Sequence, residues 1–174
     1  TSSVFVAEPW IKVVKQHVRL PNGMEVEDYH QIKLQDSTII FAETSDGRVV
    51  VERLYKHGAG EVTLVLPAGA IEGDEDPLES AQRELLEETG YASDQWQSLG
   101  TYIQHGNYGC GQAHIFRASQ AEFVANPNSG DLEDIEVVLM PLADLFAAVR
   151  KNEIYMVGAM AAIALATTPL ILPK

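Results

Sequence analysis

A chain of 174 residues, 46% of them apolar, has the length of one domain and enough apolar matter to bury a core without disulfide or metal staples. Its formal net charge of -13 repels a polyanion such as duplex nucleic acid, and an anionic substrate therefore needs a cation to approach. Cys110 is the single cysteine, which excludes an intramolecular disulfide and fits a reducing compartment; with no basic segment leading into an apolar one at the start, cytoplasmic residence is expected.

From Trp10 to Leu66 the chain reads as short β-rich runs divided by turns. "WIKVVKQHVRL" stops at "PNG", "MEVEDYHQIKL" and "STIIFAET" follow, and "SDG" leads into "RVVVERLY". The "NG" and "DG" pairs supply the positive φ of tight hairpins, so this half is expected to be antiparallel sheet. "EVTLVL" adds a strand, and "PAGAIEGDED" reads as a loop before a helix.

Asp76, Pro77 and Glu79 have the form of a helix start, with an oxygen-bearing cap, a proline at the first helical position and a glutamate three residues after the cap. Gly90 is the matching stop. Between them Leu78, Ala81 and Leu85 recur at helical spacing and form the face expected to pack on the sheet. Further on, "WQSLGTYIQ" and "AHIFRAS" read as strands flanking a glycine-rich "HGNYGCGQ". A polar loop spans Gln120 to Asp134, "IEVVLM" is a strand, and two helices follow, in "PLADLFAAVRKN" and in the apolar segment from Glu153. The uncharged stretch Tyr155–Leu172 only just reaches membrane-spanning length and is broken by "TTP", which favours a buried C-terminal helix over a membrane span. The sum is one α+β domain with helices on a sheet.

The helix carries the chemistry. "RELLEETG" holds Glu84, Glu87 and Glu88 within an arc of roughly 100° beside the apolar stripe. Like charges at this spacing repel by a few tenths of a kcal/mol per pair, about what a solvated acidic face tolerates. A cation site is the alternative reading. Mg²⁺ takes oxygen ligands, commonly a few carboxylates completed by water and substrate phosphate. Glu84 and Glu88, one turn apart, can point to one ion, and Glu87 can reach the same cluster or a second ion. Arg83 beside them can hold a glutamate in its ligand rotamer through a bidentate bond.

These residues sit in a longer pattern: Gly69, five residues, Glu75, seven residues, then "RELLEETGY" from Arg83 to Tyr91. At ordinary residue frequencies such a set of identities at fixed spacing arises by chance less than about once in ten million starts. The pattern resembles the Nudix box. The resemblance implies a Nudix fold, a mixed β-sheet between α-helices, here with an N-terminal antiparallel β extension over about residues 1–40 and the box at 69–91. It also implies Mg²⁺- or Mn²⁺-dependent hydrolysis of a nucleoside diphosphate linked to another group. Position by position, the metal ligands it implies are Glu84, Glu88 and the carbonyl oxygen of Ala68, with Glu87 bridging metals or positioning water and Glu75 bracing the loop through Arg83.

Outside the box, "LPAGAIE", "RLPNGMEVEDYHQI", "GDLEDIEVVLMPLADL" and "NEIYMVGAMAAIALA" resemble the ADP-ribose pyrophosphatase branch. That resemblance implies cleavage of ADP-ribose or a related nucleoside diphosphate sugar, a homodimer packed through the N-terminal strands, and a general base on the late loop at Glu133, with Asp134 and Glu136 as neighbours able to replace it. It places Tyr29 against the base of the substrate, and Arg53 and Lys56 at phosphate-contact positions. The branch motif there resembles "RQYR", of which Arg53-Leu54-Tyr55-Lys56 keeps two positions, and "YIQHGNYGCGQ" stands where the branch places a proline. Other nucleotides therefore remain open as substrates: dinucleoside polyphosphates, dinucleotide cofactors or nucleoside triphosphates. So does a nucleotide-binding module without turnover. His105, Cys110 and His114 lack the ligand number and spacing of a structural zinc site.

Overall fold

The computed structural model describes residues 1–130 and 134–168. β1 (Ser2–Ala7), β2 (Ile11–Arg19) and β3 (Glu25–Lys33) form an antiparallel meander. Its second turn is the expected "PNG", where the Asn22 side chain accepts the Met24 N–H at 3.0 Å. β4 (Ser37–Thr44) and β5 (Arg48–Lys56) join across "SDG", with Thr44 Oγ1 donating to Asp46 at 2.6 Å. β6 (Glu61–Val65) pairs antiparallel with β5, and β7 (Ala68–Ala70) with β4.

After α1 (Pro77–Thr89) and the short β8 (Tyr91–Ala92) come β9 (Gln95–His105), β10 (Gly109–Phe123), β11 (Glu136–Pro141), α2 (Leu142–Arg150) and α3 (Val157–Thr167). The sheet runs in the order β1-β2-β3-β10-β4-β5-β11. β10 holds its two parts together. It lies parallel to the end of β3 at Ile32 and to β4 from Ser37 to Thr44, so β3 and β4 form successive lengths of one edge along it, while β9 pairs with it antiparallel.

The runs "STIIFA" and "RVVVE" lack polar alternation because both faces of these strands are covered. Phe41, Val49, Val51 and Leu66 pack with Leu145, Ile154, Ala162 and Ile163 on the side of α2 and α3. Ile40, Ala42 and Val50 pack with Ala81, Leu85, Phe116 and Ala118 on the side of α1. The result is a mixed sheet between helices, the expected α+β architecture. Among the described residues no helix is long and apolar enough to cross a membrane. The apolar tail instead gives an 11-residue α3 with Ala159, Ala162, Ile163 and Leu165 buried.

Some expectations need correcting. β1 lies before the first expected strand, and Trp10, read as a strand residue, sits 72% exposed in the turn after it. The first half is antiparallel within itself, as expected, and its junction with the second half is parallel, which makes the sheet the expected mixed one. The loop before the helix contains β7, since Ala68, Gly69 and Ala70 lie against Ile39, Thr38 and Ser37. β10 continues through Gln120 to Phe123 before the polar loop starts, and the last helix begins at Val157 rather than Glu153.

Candidate active site

Local chemistry sets where α1 begins and ends, and so which side chains face β7. The Asp76 carboxylate accepts the Leu78 N–H at 2.9 Å and Pro77 opens the helix. Gly90 ends it in the left-handed region at φ 73°, returning its N–H to the Leu86 carbonyl. Ala81 and Leu85 are fully buried against the sheet and Leu78 packs at the margin of that core, as the spacing predicts. With that face fixed, the glutamates fall along the line where helix and β7 meet.

Glu88 is 5% exposed, and its Oε2 accepts the backbone N–H of Ala68 at 3.0 Å. Glu84 lies over Gly69 so closely that a β-carbon there would come within 2.0 Å of its carboxyl carbon. Arg83 holds the other side of the cluster. Its Nε and Nη2 each donate to Glu75 at 3.0 Å, and its Nη1 donates to Glu84 at 2.8 Å and to Glu87 at 3.2 Å. Nη2 also reaches the Ala70 carbonyl and Ser80 Oγ, both at 3.3 Å. One guanidinium thus ties three carboxylates and the backbone of β7 into a single unit.

The electrostatics differ from one acid to the next. Arg83 holds the Glu75 carboxyl below the usual carboxylate range, and the hydrogen bond to Glu75 leads in raising the pKa of Arg83 itself. Glu88 goes the other way. Burial first, then the negative charges of Glu52 and Glu84, push it up to about 10 from 4.5, against the opposing pull of the Ala68 N–H. A side-chain hydrogen bond with Glu52 adds to the upward push.

Glu52 was not singled out in the sequence, where "VVVERLY" reads as an ordinary strand. It is 1% exposed and lies on the α1 face of β5, two residues from Val50. An acid two residues after Val50, on the face that packs on α1, was the available signal. Lys56 occupies the same face, and with Glu52, Ala68 and Met156 it lines a cavity of about 150 Å³. Arg53 does not join them. It projects from the other face of β5, pairs with Glu136 at 3.1 Å and lines a separate cleft of about 410 Å³ with Glu61, Asn152 and Tyr155. Tyr29 is half-buried on β3, and its hydroxyl donates to the Asn107 carbonyl at 2.9 Å. Glu133 lies outside the described residues, and Asp134 precedes β11.

As the side chains stand, no three His, Cys, Asp or Glu groups among the described residues converge on a common cation position. Glu84 and Glu87 face Arg83 while Glu88 faces Glu52. The donor set nevertheless suits a hard divalent ion: carboxylate oxygens, a side-chain-free position at Gly69 that leaves room for Glu84, and buried like charges that a cation relieves.

A sheet sandwiched between helices, with an arginine-braced acidic helix docked on a glycine-containing strand, defines a class of phosphoanhydride hydrolases. The NUDIX domain model matches residues 33–157, and the chain belongs to this family. It is a Nudix hydrolase that resembles ADP-ribose pyrophosphatases. The ADP-ribose pyrophosphatase of Bacillus subtilis (strain 168) is 25% identical over 146 residues, covering 83% of this chain and 78% of the relative. A CMP-5'-(N-acetyl-N-hydroxy-3-aminopropyl)phosphonate hydrolase from Streptomyces rubellomurinus (strain ATCC 31215) is 29% identical over 135 residues, covering 78% of this chain and 65% of the relative. The crystal structure of an ADP compounds hydrolase superposes with a TM-score of 0.79 over 95% of this chain and 88% of that one. At 19% identity that likeness is one of fold.

Proposed function

We propose that the protein hydrolyses the diphosphate linkage of ADP-ribose or a related nucleoside diphosphate sugar, giving a nucleoside monophosphate and a sugar phosphate, with Mg²⁺ as the cofactor and Mn²⁺ as a substitute. The observation that carries this reading is the docking of Glu84 and Glu88 on Gly69 and Ala68 under the control of Arg83. Glu84, Glu88 and the Ala68 carbonyl oxygen are the proposed ligands, and Glu87 is placed to join them or to orient water. When bound, the metal neutralises the diphosphate and lowers the pKa of the attacking water. The residues do the positioning. Arg83 fixes the carboxylate rotamers, Glu75 anchors Arg83, and Gly69 leaves space for Glu84. Lys56, lining the cavity beside Ala68, supplies a cation toward a substrate phosphate. Glu133 is proposed as the general base and Tyr29 as a contact to the nucleobase.

Two observations favour a wider substrate range than ADP-ribose alone. Arg53, half of the remaining phosphate-contact motif, faces away from the acids, and the relatives of comparable identity carry different substrate names. A different nucleoside diphosphate derivative is therefore the second reading. The chain is proposed to act as one catalytic unit on a small nucleotide in the cytoplasm, with no nucleic acid or membrane partner. Its proposed oligomer is a homodimer through the N-terminal strands. The exposed Val4, Phe5 and Val6 of β1, on an edge strand of the sheet, support that assembly.

The test is nucleoside monophosphate formation across a panel of nucleotide sugars, dinucleotides and nucleoside triphosphates with Mg²⁺, for the parent and for Glu88→Gln. We expect turnover on nucleoside diphosphate sugars and a loss on the order of a thousandfold in Glu88→Gln with melting preserved. Equal rates for parent and variant end the proposal, and tight nucleotide binding without turnover by the parent assigns a binding module instead.

A further inference from the structure

The box explains Glu84, Glu87 and Glu88, but not why a fourth acid is buried behind them. Strand interiors facing a helix select apolar side chains, and Val49, Val50, Val51 and Leu54 around Glu52 on β5 obey that rule, all buried and apolar. An acid that is almost never buried without a partner therefore sits where valine or leucine would pack. In register, Glu52 lies across from Val65 on β6, so it is not one of a cross-strand pair of acids. Its approach is to Glu88 instead. The two carboxyls share a side-chain hydrogen bond, and both lie at Ala68: Glu88 accepts its N–H at 3.0 Å, and Glu52 lines with Ala68 the cavity of about 150 Å³.

We propose that Glu52 is a positioning residue for the cation site, holding the Glu88 carboxyl against Ala68 and adding a buried negative charge that sets how tightly the site takes a divalent ion. The inference rests on the reading of Glu88 as a ligand. It assigns Glu52 no contact with substrate. A carboxyl that bonds only to the Ala68 N–H has one anchor and swings about its side-chain torsions, while a second contact from β5 fixes it between two strands of the sheet. The charge acts independently of the contact. A buried carboxylate a few ångström from a bound ion attracts it through protein rather than water, so its removal weakens binding more than loss of a surface acid does. In the cation-free protein the same charge faces Glu88, and the arrangement trades apo stability for affinity.

Mn²⁺ binding to the full-length protein, measured by electron paramagnetic resonance or calorimetry, separates contact from charge. Glu52→Gln keeps the shape and a hydrogen-bonding amide but loses the charge, Glu52→Asp keeps the charge on a shorter arm, and Glu88→Gln is the control. We expect Glu52→Gln to bind Mn²⁺ about tenfold or more weakly and to require correspondingly more Mg²⁺ for half-maximal rate, with the loss largely recovered at high Mg²⁺. Glu52→Asp should recover part of the affinity, and the cation-free melting temperature of Glu52→Gln should equal or exceed the parent's. Glu52→Gln binding Mn²⁺ like the parent, or losing stability while its affinity is unchanged, overturns the proposal and leaves Glu52 a packing residue. If the parent and Glu88→Gln bind Mn²⁺ alike, the ligand reading itself has failed.

Discussion

The acids on α1 and just before it are chemically alike, and the structure sets them in two opposite environments. On the outer side Glu75, Glu84 and Glu87 share the guanidinium of Arg83, which neutralises charge and fixes geometry with hydrogen bonds of 2.8 to 3.2 Å. On the inner side Glu88 has a buried acid, Glu52, for a neighbour and a backbone N–H as its opposing donor. The contrast separates two tasks. Arg83 gives the cluster a shape it holds without metal, and the Glu52–Glu88 side leaves a deficit of positive charge at the proposed ion position. A cluster fully paired with arginines would be rigid and inert, and one with no arginine would scatter its carboxylates by repulsion.

Disturbing the sides separately sharpens that contrast. After the loss expected of Glu88→Gln, the largest effect is expected from Gly69→Ala. The new β-carbon meets the flexible end of Glu84 rather than backbone, so the side chain swings aside and the fold survives. Turnover should fall about a hundredfold or more, with melting shifted by only a few degrees; a collapse of stability instead shows that Gly69 serves the fold and not the site. Arg83→Lys comes next. An ammonium lacks the fork that grips Glu75 while reaching Glu84 and Glu87, so kcat should drop about ten- to a hundredfold. Unchanged kcat breaks the assignment of the outer side.

The smallest effect is on stability against pH. Glu88 has a folded pKa of about 10 against 4.5 when unperturbed, so the folded chain binds the extra proton between those values. Cation-free protein is therefore expected to lose stability as pH rises through that window. A divalent ion replaces the proton, and its stabilising increment should grow with pH. Melting curves with chelator and with Mg²⁺ that run parallel across the window contradict the inner-side account. Glu75 contributes in the opposite sense at acid pH: its depressed pKa stabilises the fold above the unfolded value, and that stability is lost as pH falls.

Local signals were readable and long-range ones were not. The limits of α1 followed from Asp76, Pro77 and Gly90, because caps act within a few residues of the groups they satisfy. The buried face followed from the spacing of Ala81 and Leu85. The parallel seating of β10 against β3 and β4 was hidden, since hydrophobic pattern tells a strand its face and not its partner. Glu52 was hidden for the same reason. Its meaning comes from Glu88, 36 positions away and across a helix–sheet interface, and an isolated glutamate in "VVVERLY" carries no mark of that neighbour. Arg53 and Lys56 looked equivalent in the sequence, yet strand alternation sends them to opposite faces of β5, which a resemblance to a short motif does not resolve.

The central claim is that Glu84, Glu88 and the Ala68 carbonyl hold a divalent ion against a diphosphate. Crystals grown with Mn²⁺ and a nonhydrolysable ADP-ribose analogue test it directly through anomalous scattering. The account predicts a manganese peak about 2.1–2.2 Å from carboxylate oxygens of Glu84 and Glu88 and from the Ala68 oxygen, with a phosphate oxygen completing its shell. A peak elsewhere, with Glu84 still on Arg83 and Glu88 still on Glu52, contradicts it.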